Sequence, residues 1–209
     1  MKEYHKIETV YERDRAGSKK LIEGVFRNEA VDFLANNIWI FTEKIDGTNI
    51  RVHWDGHNVE FAGRTDKSEI PNILLCKLEE TFCNNETEEL FEQIFGDKDV
   101  VLFGEGYGSK IQKVGSLYRE DVGFILFDVM IGDNFLSRDN VESIAKTFNL
   151  EIVPIIMRGT IDEAVDFVKR KPKSWIGTAP MEGLVGRPSV ELKDRRGERI
   201  IVKIKVCDF

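Results

Sequence analysis

The chain has 209 residues, of which 42% are hydrophobic and 32% charged, and its formal net charge is −7. This length and composition predict one large globular domain with its own core, or a domain with a small appendage, and no run of about 18 apolar residues indicates a membrane span. Residues 1–15 are charged and lack the apolar core of a signal peptide, so we expect a cytoplasmic protein with no membrane partner. The acidic net charge argues against nonspecific coating of nucleic acid, but it is compatible with a local basic groove.

The first half of the sequence alternates apolar segments with turn residues, as strands do. Residues 38–47 predict a strand that runs into a glycine turn. Asp55-Gly56 is a strong hairpin signal between two strand-like segments, 50–54 and 58–62. Apolar residues recur at helical spacing over 86–95. Two further apolar segments predict buried strands, the first of them ending in a glycine-rich loop: 100–108 and 122–131.

The second half predicts two helices between strands. Asp139 with Glu142 resembles a capping box that starts a helix through Phe148, and Thr160 with Glu163 does the same for a helix through about Lys169. The remaining apolar segments predict a strand interrupted by Pro154 and two closing strands: 151–157, 181–193 and 199–209. Without strict βαβ alternation, this order predicts an α+β fold with mainly antiparallel sheets flanked by helices, in a single domain over 1–209.

Lys44 stands at the end of the first predicted strand and is followed by Asp46 and Gly47. A lysine in this position can face a cleft and act as a nucleophile once it loses its proton. Its reference pKa of about 10.4 leaves very little neutral amine at pH 7, so the site must favour the neutral form by desolvation or nearby positive charge. Taken alone, the K-x-D-G pattern is a weak signal that fits a surface turn better.

Four later segments carry residues suited to nucleotide chemistry, each with a structural alternative. Glu105 lies among alternating glycines that permit close backbone approach to a ligand, or it is a solvated hairpin residue. Phe127 offers a face for base stacking, or belongs to the core. Glu182 beside a glycine can bind a hard divalent cation, or lies at a strand edge. Lys203 and Lys205 share one strand face and suit a phosphate, or form a solvated face.

The order of these segments, from Glu43 to Lys205, resembles the covalent nucleotidyltransferase superfamily of ATP-dependent DNA ligases, RNA ligases and mRNA capping enzymes. The continuation of the first motif through Thr48-Asn49, and Glu182-Gly183-Leu184-Val185 with Arg187-Pro188, is similar to the small RNA ligases. These are related to the second RNA ligase of T-even phages and to the RNA-editing ligases. Asp46 departs from the phage type, which has histidine there, and the K-x-D-G form is shared with DNA ligases.

The resemblance implies a role for each matching residue. Lys44 would attack the α-phosphate of ATP and become lysyl-AMP, while Lys203 and Lys205 would hold that phosphate and favour the neutral form of Lys44. Glu182 would bind Mg²⁺ or Mn²⁺. The remaining residues would serve nucleotide binding: Glu105 on the ribose or the metal, Phe127 stacked on adenine, Arg64 on the ribose and the acceptor end, Asn49 on metal-bound water, and Glu43 in reading adenine.

The function implied is an ATP-dependent RNA ligase that passes AMP from the lysine to a 5′-phosphate end and then joins a 3′-hydroxyl. A minimal DNA ligase, a GTP-using capping enzyme and a binding module without chemistry are the alternatives, and the substrate ends could belong to RNA, DNA or a hybrid. Because the sequence stops soon after Lys205, we expect a bare nucleotidyltransferase domain without a C-terminal OB or helical domain, acting as a monomer or weak dimer.

Several basic and aromatic side chains outside the motifs are candidates for gripping a nucleic-acid strand. Lys169-Arg170-Lys171 with Lys173, and Arg195-Arg196, are the stronger basic stretches, and Lys19-Lys20 is weaker. Such runs more often form solvated faces. Trp175 and Tyr118 are candidates for base stacking, with packing in the core or at its rim as the alternative.

Overall fold

A computed structural model describes residues 1–209. It contains 13 strands and five α-helices. In chain order they are β1 (Glu8–Thr9), β2 (Tyr11–Arg13), β3 (Leu21–Phe26), α1 (Glu29–Leu34), β4 (Trp39–Lys44), β5 (Thr48–Trp54), β6 (Val59–Ala62), α2 (Asn72–Phe82), α3 (Asn85–Phe95), β7 (Val100–Gly108), β8 (Val122–Ile131), β9 (Asn134–Phe135), α4 (Arg138–Thr147), β10 (Glu151–Ile152), β11 (Ile155–Gly159), α5 (Ile161–Lys169), β12 (Gly183–Pro188) and β13 (Val202–Lys205). None of the helices is both long enough and apolar enough to cross a lipid bilayer.

The chain divides into two compact units. The insert unit consists of residues 1–5 and 46–153, and the flanking unit of residues 6–45 and 154–209. Their sheets are mostly antiparallel, so the α+β prediction with antiparallel sheets is confirmed. The assignment of 1–209 to a single domain stays a prediction.

The insert unit is built on a sheet in the order β10-β8-β7-β5-β6, with β9 paired to β8. The predicted hairpin at Asp55-Gly56 is present: the Asp55 side chain accepts hydrogen bonds from two following backbone amides, and Gly56 has φ +100°. One sheet face packs against α2, α3 and α4. The core there includes Ile50, Val52, Trp54, Leu74, Leu78, Phe82, Phe91, Leu102 and Leu126.

The glycines of 103–108 do not form the expected loop, because the whole segment belongs to β7. Gly104 and Gly106 lie on the helix-packed face. A β-carbon on Gly104 would stand 2.3 Å from the Phe124 ring, and one on Gly106 would stand 2.3 Å from Leu74 of α2. These two glycines therefore make room for core packing, whereas Gly108, with φ +110°, ends the strand in a conformation that favours glycine.

The flanking unit contains a five-stranded sheet in the order β1-β13-β12-β4-β11 and a separate β2–β3 ribbon. The predicted capping box is present at Thr160 and Glu163, where α5 begins. Helix α5 packs with the strands over a second core. This core includes Val10, Trp39, Phe41, Ile161, Val165, Val168, Leu184, Val202 and Ile204.

Several element boundaries differ from the sequence-based expectation. Helix α4 begins at Arg138 with Ser137 as its N-cap, so Asp139 lies in the first turn. The strands on either side of Pro154, β10 and β11, join different sheets rather than one interrupted strand. The two closing strands are shorter than predicted, ending at Pro188 and Lys205. Helix α2 was not predicted, although apolar residues recur along it at helical spacing.

Candidate functional site

Lys44 is the last residue of β4 in the flanking unit. Side chains along β4 alternate, so Trp39, Phe41 and Glu43 are buried while Lys44 lies on the opposite face. In the sheet, Lys44 pairs with Gly183 of β12, and Gly183 in turn pairs with Lys205 of β13. The two lysines thus flank Gly183, where a β-carbon would stand 2.1 Å from Ile204 O, so the close strand pairing here requires glycine.

Glu182, the residue before β12, bridges these two lysines. Its Oε2 accepts from Lys44 Nζ at 2.5 Å and its Oε1 faces Lys205 Nζ at 2.7 Å. The three side chains are 26%, 17% and 30% exposed for Lys44, Glu182 and Lys205, so the cluster is only partly hydrated. Both oxygens of the predicted metal-binding carboxylate therefore serve as counter-ions to ammonium groups.

Lys203 completes the cluster from the same face of β13, as the period-two pattern predicted. Val185 of β12 pairs with Lys203 on one side and with Thr42 on the other. Across the sheet, Lys203 is therefore level with Thr42, two residues before Lys44 on β4. Burial, then the positive charges of Lys44 and Lys205, lower the pKa of Lys203. Burial alone would lower the pKa of Lys205. The hydrogen bond and negative charge of Glu182 outweigh burial, so the pKa of Lys205 is raised. Glu182 thus pairs with two of the three lysines, and the excess positive charge suits an anion such as phosphate.

Glu43 lies on the buried face of β4 and is 1% exposed. Its Oε2 accepts from the backbone N–H of Trp175 at 2.9 Å, while its Oε1 is buried without a hydrogen-bond partner. Burial raises the pKa of this carboxyl, against the opposing hydrogen bonds from Ser174 and Trp175. A buried unpaired acceptor costs about 1–3 kcal/mol. Its oxygen therefore fits a donor brought by a ligand, such as the exocyclic amine of a base.

Asn49 and Glu105 lie directly opposite each other on β5 and β7 of the insert unit. Directly opposed residues project to the same sheet face, here the face away from α2, α3 and α4. The Oδ1 of Asn49 is buried without a hydrogen-bond partner. An amide oxygen beside a carboxylate is a donor set that hard divalent cations and their bound waters prefer.

Phe127 lies at an irregularity in the pairing of β7 with β8. Phe103 pairs with Asp128 but Gly104 pairs with Leu126, so Phe127 is the extra residue of a β-bulge. Its ring is half-buried and meets Tyr4 edge-on, with the ring centroids 5.2 Å apart. The ring is therefore partly accessible for stacking, while it also packs against Tyr4.

Arg64 is exposed on a tight loop after β6. The loop is held by Arg51, a fully buried side chain that sequence analysis did not single out. Arg51 Nε donates to Gly63 O and its Nη2 donates to Asp66 Oδ1, each at 2.8 Å. A lone arginine in a strand normally faces solvent, so no local pattern indicates this role.

Gly47 is fixed by a close backbone approach. A β-carbon there would stand 2.3 Å from Gly106 O, so only glycine fits without a shift. Gln112, another residue that sequence analysis did not single out, donates from Nε2 to Gly47 O at 2.9 Å. The backbone at Gly47 is thus held by specific contacts within the insert unit.

The remaining candidates divide between exposed and structural positions. Trp175 is 62% exposed, whereas Tyr118 is 5% exposed and packs edge-on against Tyr107. Lys169 pairs with Glu23, and Arg196 pairs with Asp194 and Glu198. Tyr118 therefore fits the core-packing alternative, while Trp175 remains open to a ligand.

Comparison with known proteins gives one family and a set of solved structures. A family model described as RNA ligase matches residues 37–205. No curated protein matches the chain in sequence. Solved structures of Naegleria gruberi RNA ligase share the fold. A mutant with ATP and Mn matches with a TM-score of 0.66 and 18% identity, covering 96% of this chain and 55% of that chain, and a second mutant with ATP and Mn matches with a TM-score of 0.63 and 16% identity, covering 96% and 60%. An apo mutant matches with a TM-score of 0.64 and 18% identity, covering 86% of this chain and 52% of that chain. The chain therefore spans a little over half the length of these structures.

Proposed function

This chain belongs to the RNA ligase family, and from that premise we propose that it is an ATP-dependent RNA ligase that forms lysyl-AMP at Lys44. The observation that carries the proposal is the charge cluster of Lys44, Glu182, Lys203 and Lys205. It sets a primary amine at the end of a strand, beside two cations that can hold a phosphate. The fold likeness to structures with ATP and Mn supports the choice of nucleotide and metal.

In the first proposed step, Lys44 Nζ attacks the α-phosphorus of ATP. A nitrogen–phosphorus bond forms as the bond to pyrophosphate breaks, and the amine gives up its proton. Lys203 and Lys205 neutralise charge on the α-phosphate, so positioning and electrostatics account for most of the catalysis.

Attack requires that the Lys44–Glu182 ion pair open. An ammonium group paired with Glu182 Oε2 has no lone pair with which to attack the phosphorus. The proposed oxygen donors for Mg²⁺ or Mn²⁺ are Glu182, and in the insert unit Glu105 with Asn49. A bound divalent cation would supply positive charge for the phosphates and compete with the ammonium groups for the carboxylate.

Other residues are assigned to the nucleoside from the family resemblance and their own surroundings. The unpaired Oε1 of Glu43 suits the adenine amine, and Phe127 would stack on the base. Glu105 would bind the ribose in addition to metal. Arg64 would contact the ribose and the acceptor end, and the loop that carries it is ordered by Arg51.

The later steps would transfer AMP to an RNA 5′-phosphate and then release it as a 3′-hydroxyl attacks. In the transfer, the lysine–phosphorus bond breaks as a 5′-to-5′ pyrophosphate forms. In the joining step, the 3′-oxygen bonds to the 5′-phosphorus and AMP leaves. Arg64 and Asn49 are the residues whose loss should affect these steps beyond the first.

The first test is self-adenylylation. Incubation with α-labelled ATP and Mg²⁺ or Mn²⁺, followed by a denaturing gel, should label the protein, and labelled GTP should not. The Lys44→Ala variant should carry no label, whereas Lys98→Ala, which removes an exposed lysine elsewhere, should label like the native chain. Absence of an adduct with either metal would disprove the covalent mechanism.

The second test concerns the substrate. The adenylylated protein should join a 3′-hydroxyl RNA end to a 5′-phosphate RNA end, in single strands or at a nick. Matched DNA nicks and RNA–DNA hybrids form the comparison. Joining of DNA nicks alone would refute the RNA assignment while leaving the lysyl-AMP step intact.

A further inference from the structure

A basic stretch of the flanking unit stands out in a protein of net charge −7. Between Asp166 and Glu182 the chain carries only positive charges, on Lys169, Arg170, Lys171 and Lys173. All four are exposed. Lys169 pairs with Glu23. The rest of the stretch therefore presents positive charge to solvent where the protein as a whole is acidic.

The segment that follows, residues 173–180, is a closed loop, here named the Trp175 loop. Lys173 and Pro180 form an antiparallel bridge, and Ser174 N donates to Ala179 O at 2.9 Å. The Glu43 carboxylate of β4 accepts a hydrogen bond from the backbone N–H of Trp175 at 2.9 Å and so ties the loop to this strand. The main chain of the loop is therefore held by contacts between its own two ends and by Glu43.

The indole of Trp175 projects from this fixed loop into solvent. It is 62% exposed, whereas Trp39 and Trp54 are 0% and 1% exposed. An exposed tryptophan gains little from folding, yet its large rigid face can bind a flat ligand at low entropic cost. Proteins that bind single strands without sequence specificity stack bases on aromatic rings and bind phosphates with cationic side chains. An exposed indole next to lysines provides both of these groups.

We propose that the Trp175 loop and Lys171 form a binding surface for single-stranded RNA, with one base stacked on Trp175 and phosphates on Lys171 and Lys173. The proposal rests on the RNA ligase function and adds the place where a strand is gripped. Glu43, which anchors the loop, lies on the face of β4 opposite Lys44, so RNA held here lies beside β4 on the other face from the proposed nucleophile.

The experiment uses the full chain without ATP and an RNA of about 12 nucleotides that has a 5′-hydroxyl, so no chemistry can occur. Binding is followed by tryptophan fluorescence and by the anisotropy of a labelled RNA. We expect quenching of the exposed indole, and at least about fivefold weaker binding for Trp175→Ala, with Trp175→Phe closer to the native chain. Polyglutamate, which has charge but no bases, should leave the fluorescence unchanged.

A second variant tests the cations. Lys171→Gln with Lys173→Gln should reduce the slope of log affinity against log salt by about 1.4, since each phosphate contact on a single strand contributes about 0.7. The control, Lys98→Gln with Lys146→Gln, removes the same charge from exposed positions elsewhere and should keep the slope. Unchanged RNA affinity in Trp175→Ala, or equal quenching by polyglutamate, would overturn the proposal.

The two proposals can fail separately. Self-adenylylation needs no RNA, and this binding needs neither ATP nor a 5′-phosphate. A protein that labels with ATP but binds RNA equally well without Trp175 retains the proposed function and loses this surface. A protein that binds RNA through Trp175 but never labels retains the surface and loses the covalent mechanism.

Discussion

At the scale of single residues, the candidate site is a problem of charge balance. Glu182 is shared by Lys44 and Lys205, and Lys203 is held beside them at a lowered pKa. Packing a third ammonium group beside a carboxylate that already pairs with two costs stability, because like charges at this range repel and are only partly hydrated. Such local cost is expected where a site is shaped for an anionic ligand.

We expect Lys203→Met to be more stable and less active. The change keeps the length of the side chain and removes its charge, so the free energy of unfolding should rise by about 0.5–1 kcal/mol in urea denaturation. Adenylylation should fall at least about tenfold, or roughly 1.4 kcal/mol. Lys98→Met, at an exposed position, is the control, and a less stable Lys203→Met would contradict the charge-repulsion account.

The same variant should change the pH dependence of stability. The pKa of Lys203 lies below its usual 10.5 in the folded chain, so the unfolded chain binds more protons in the interval between the two values. The free energy of unfolding therefore rises with pH through that interval, as the destabilising charge on Lys203 is lost. The stability difference between Lys203→Met and the native chain should narrow as the pH is raised towards about 10.5.

At the scale of elements, β7 shows how packing sets the sequence of a strand that also carries Glu105. On the helix-packed face, Phe124 packs closely over Gly104 and Leu74 packs closely over Gly106. Glu105 projects to the opposite face beside Asn49. The glycine-rich pattern alone predicts either close approach of a ligand or a tight hairpin. Its physical cause at these two positions is the close seating of a ring and of helix α2 on the sheet.

We expect Gly104→Ala to destabilise the protein by about 1–3 kcal/mol, because the new methyl group meets both the Phe124 ring and the carbonyl of Ile125. Gly106→Ala should cost less, since its nearest neighbour is the flexible end of Leu74. Thermal unfolding of both variants measures the order. Unchanged stability with lost nucleotide binding would instead favour the ligand-approach explanation.

Local patterns predicted what depends on a few neighbouring residues. The shared face of Lys203 and Lys205, and the burial of Ile204 between them, follow from the period of a strand. The Lys44–Glu182 pair could not be predicted from the residues alone, because its partners are 138 positions apart and meet only through the β4–β12 register. The burial of Arg51 likewise depends on a loop that folds back over it.

At the scale of the whole molecule, each unit has its own hydrophobic core and its own buried tryptophan. Trp39 lies in the flanking core and Trp54 in the insert core. The flanking sheet depends on the end of the chain, since β13 lies between β1 and β12 in the strand order. Loss of β13 should therefore damage one core and spare the other.

This expectation can be tested with single-tryptophan reporters in which the other two tryptophans are replaced by phenylalanine. Truncation after Ile201 removes β13 and with it Val202 and Ile204 of the flanking core. The Trp39 emission should shift to the red, while the Trp54 emission stays that of a buried indole, relative to full-length reporters. Equal shifts of both reporters would show that the two cores do not fold separately.

The central place of β13 also has a consequence during protein synthesis. About 160 residues separate Lys44 from Lys203 and Lys205, so at roughly 5–20 residues per second the ribosome needs on the order of 10–30 s to supply them. Residues 46–153 leave the ribosome within that interval, whereas β4 still lacks β12, its neighbour in the flanking sheet. The nascent chain therefore carries the proposed nucleophile long before the two lysines proposed to hold a phosphate beside it are made.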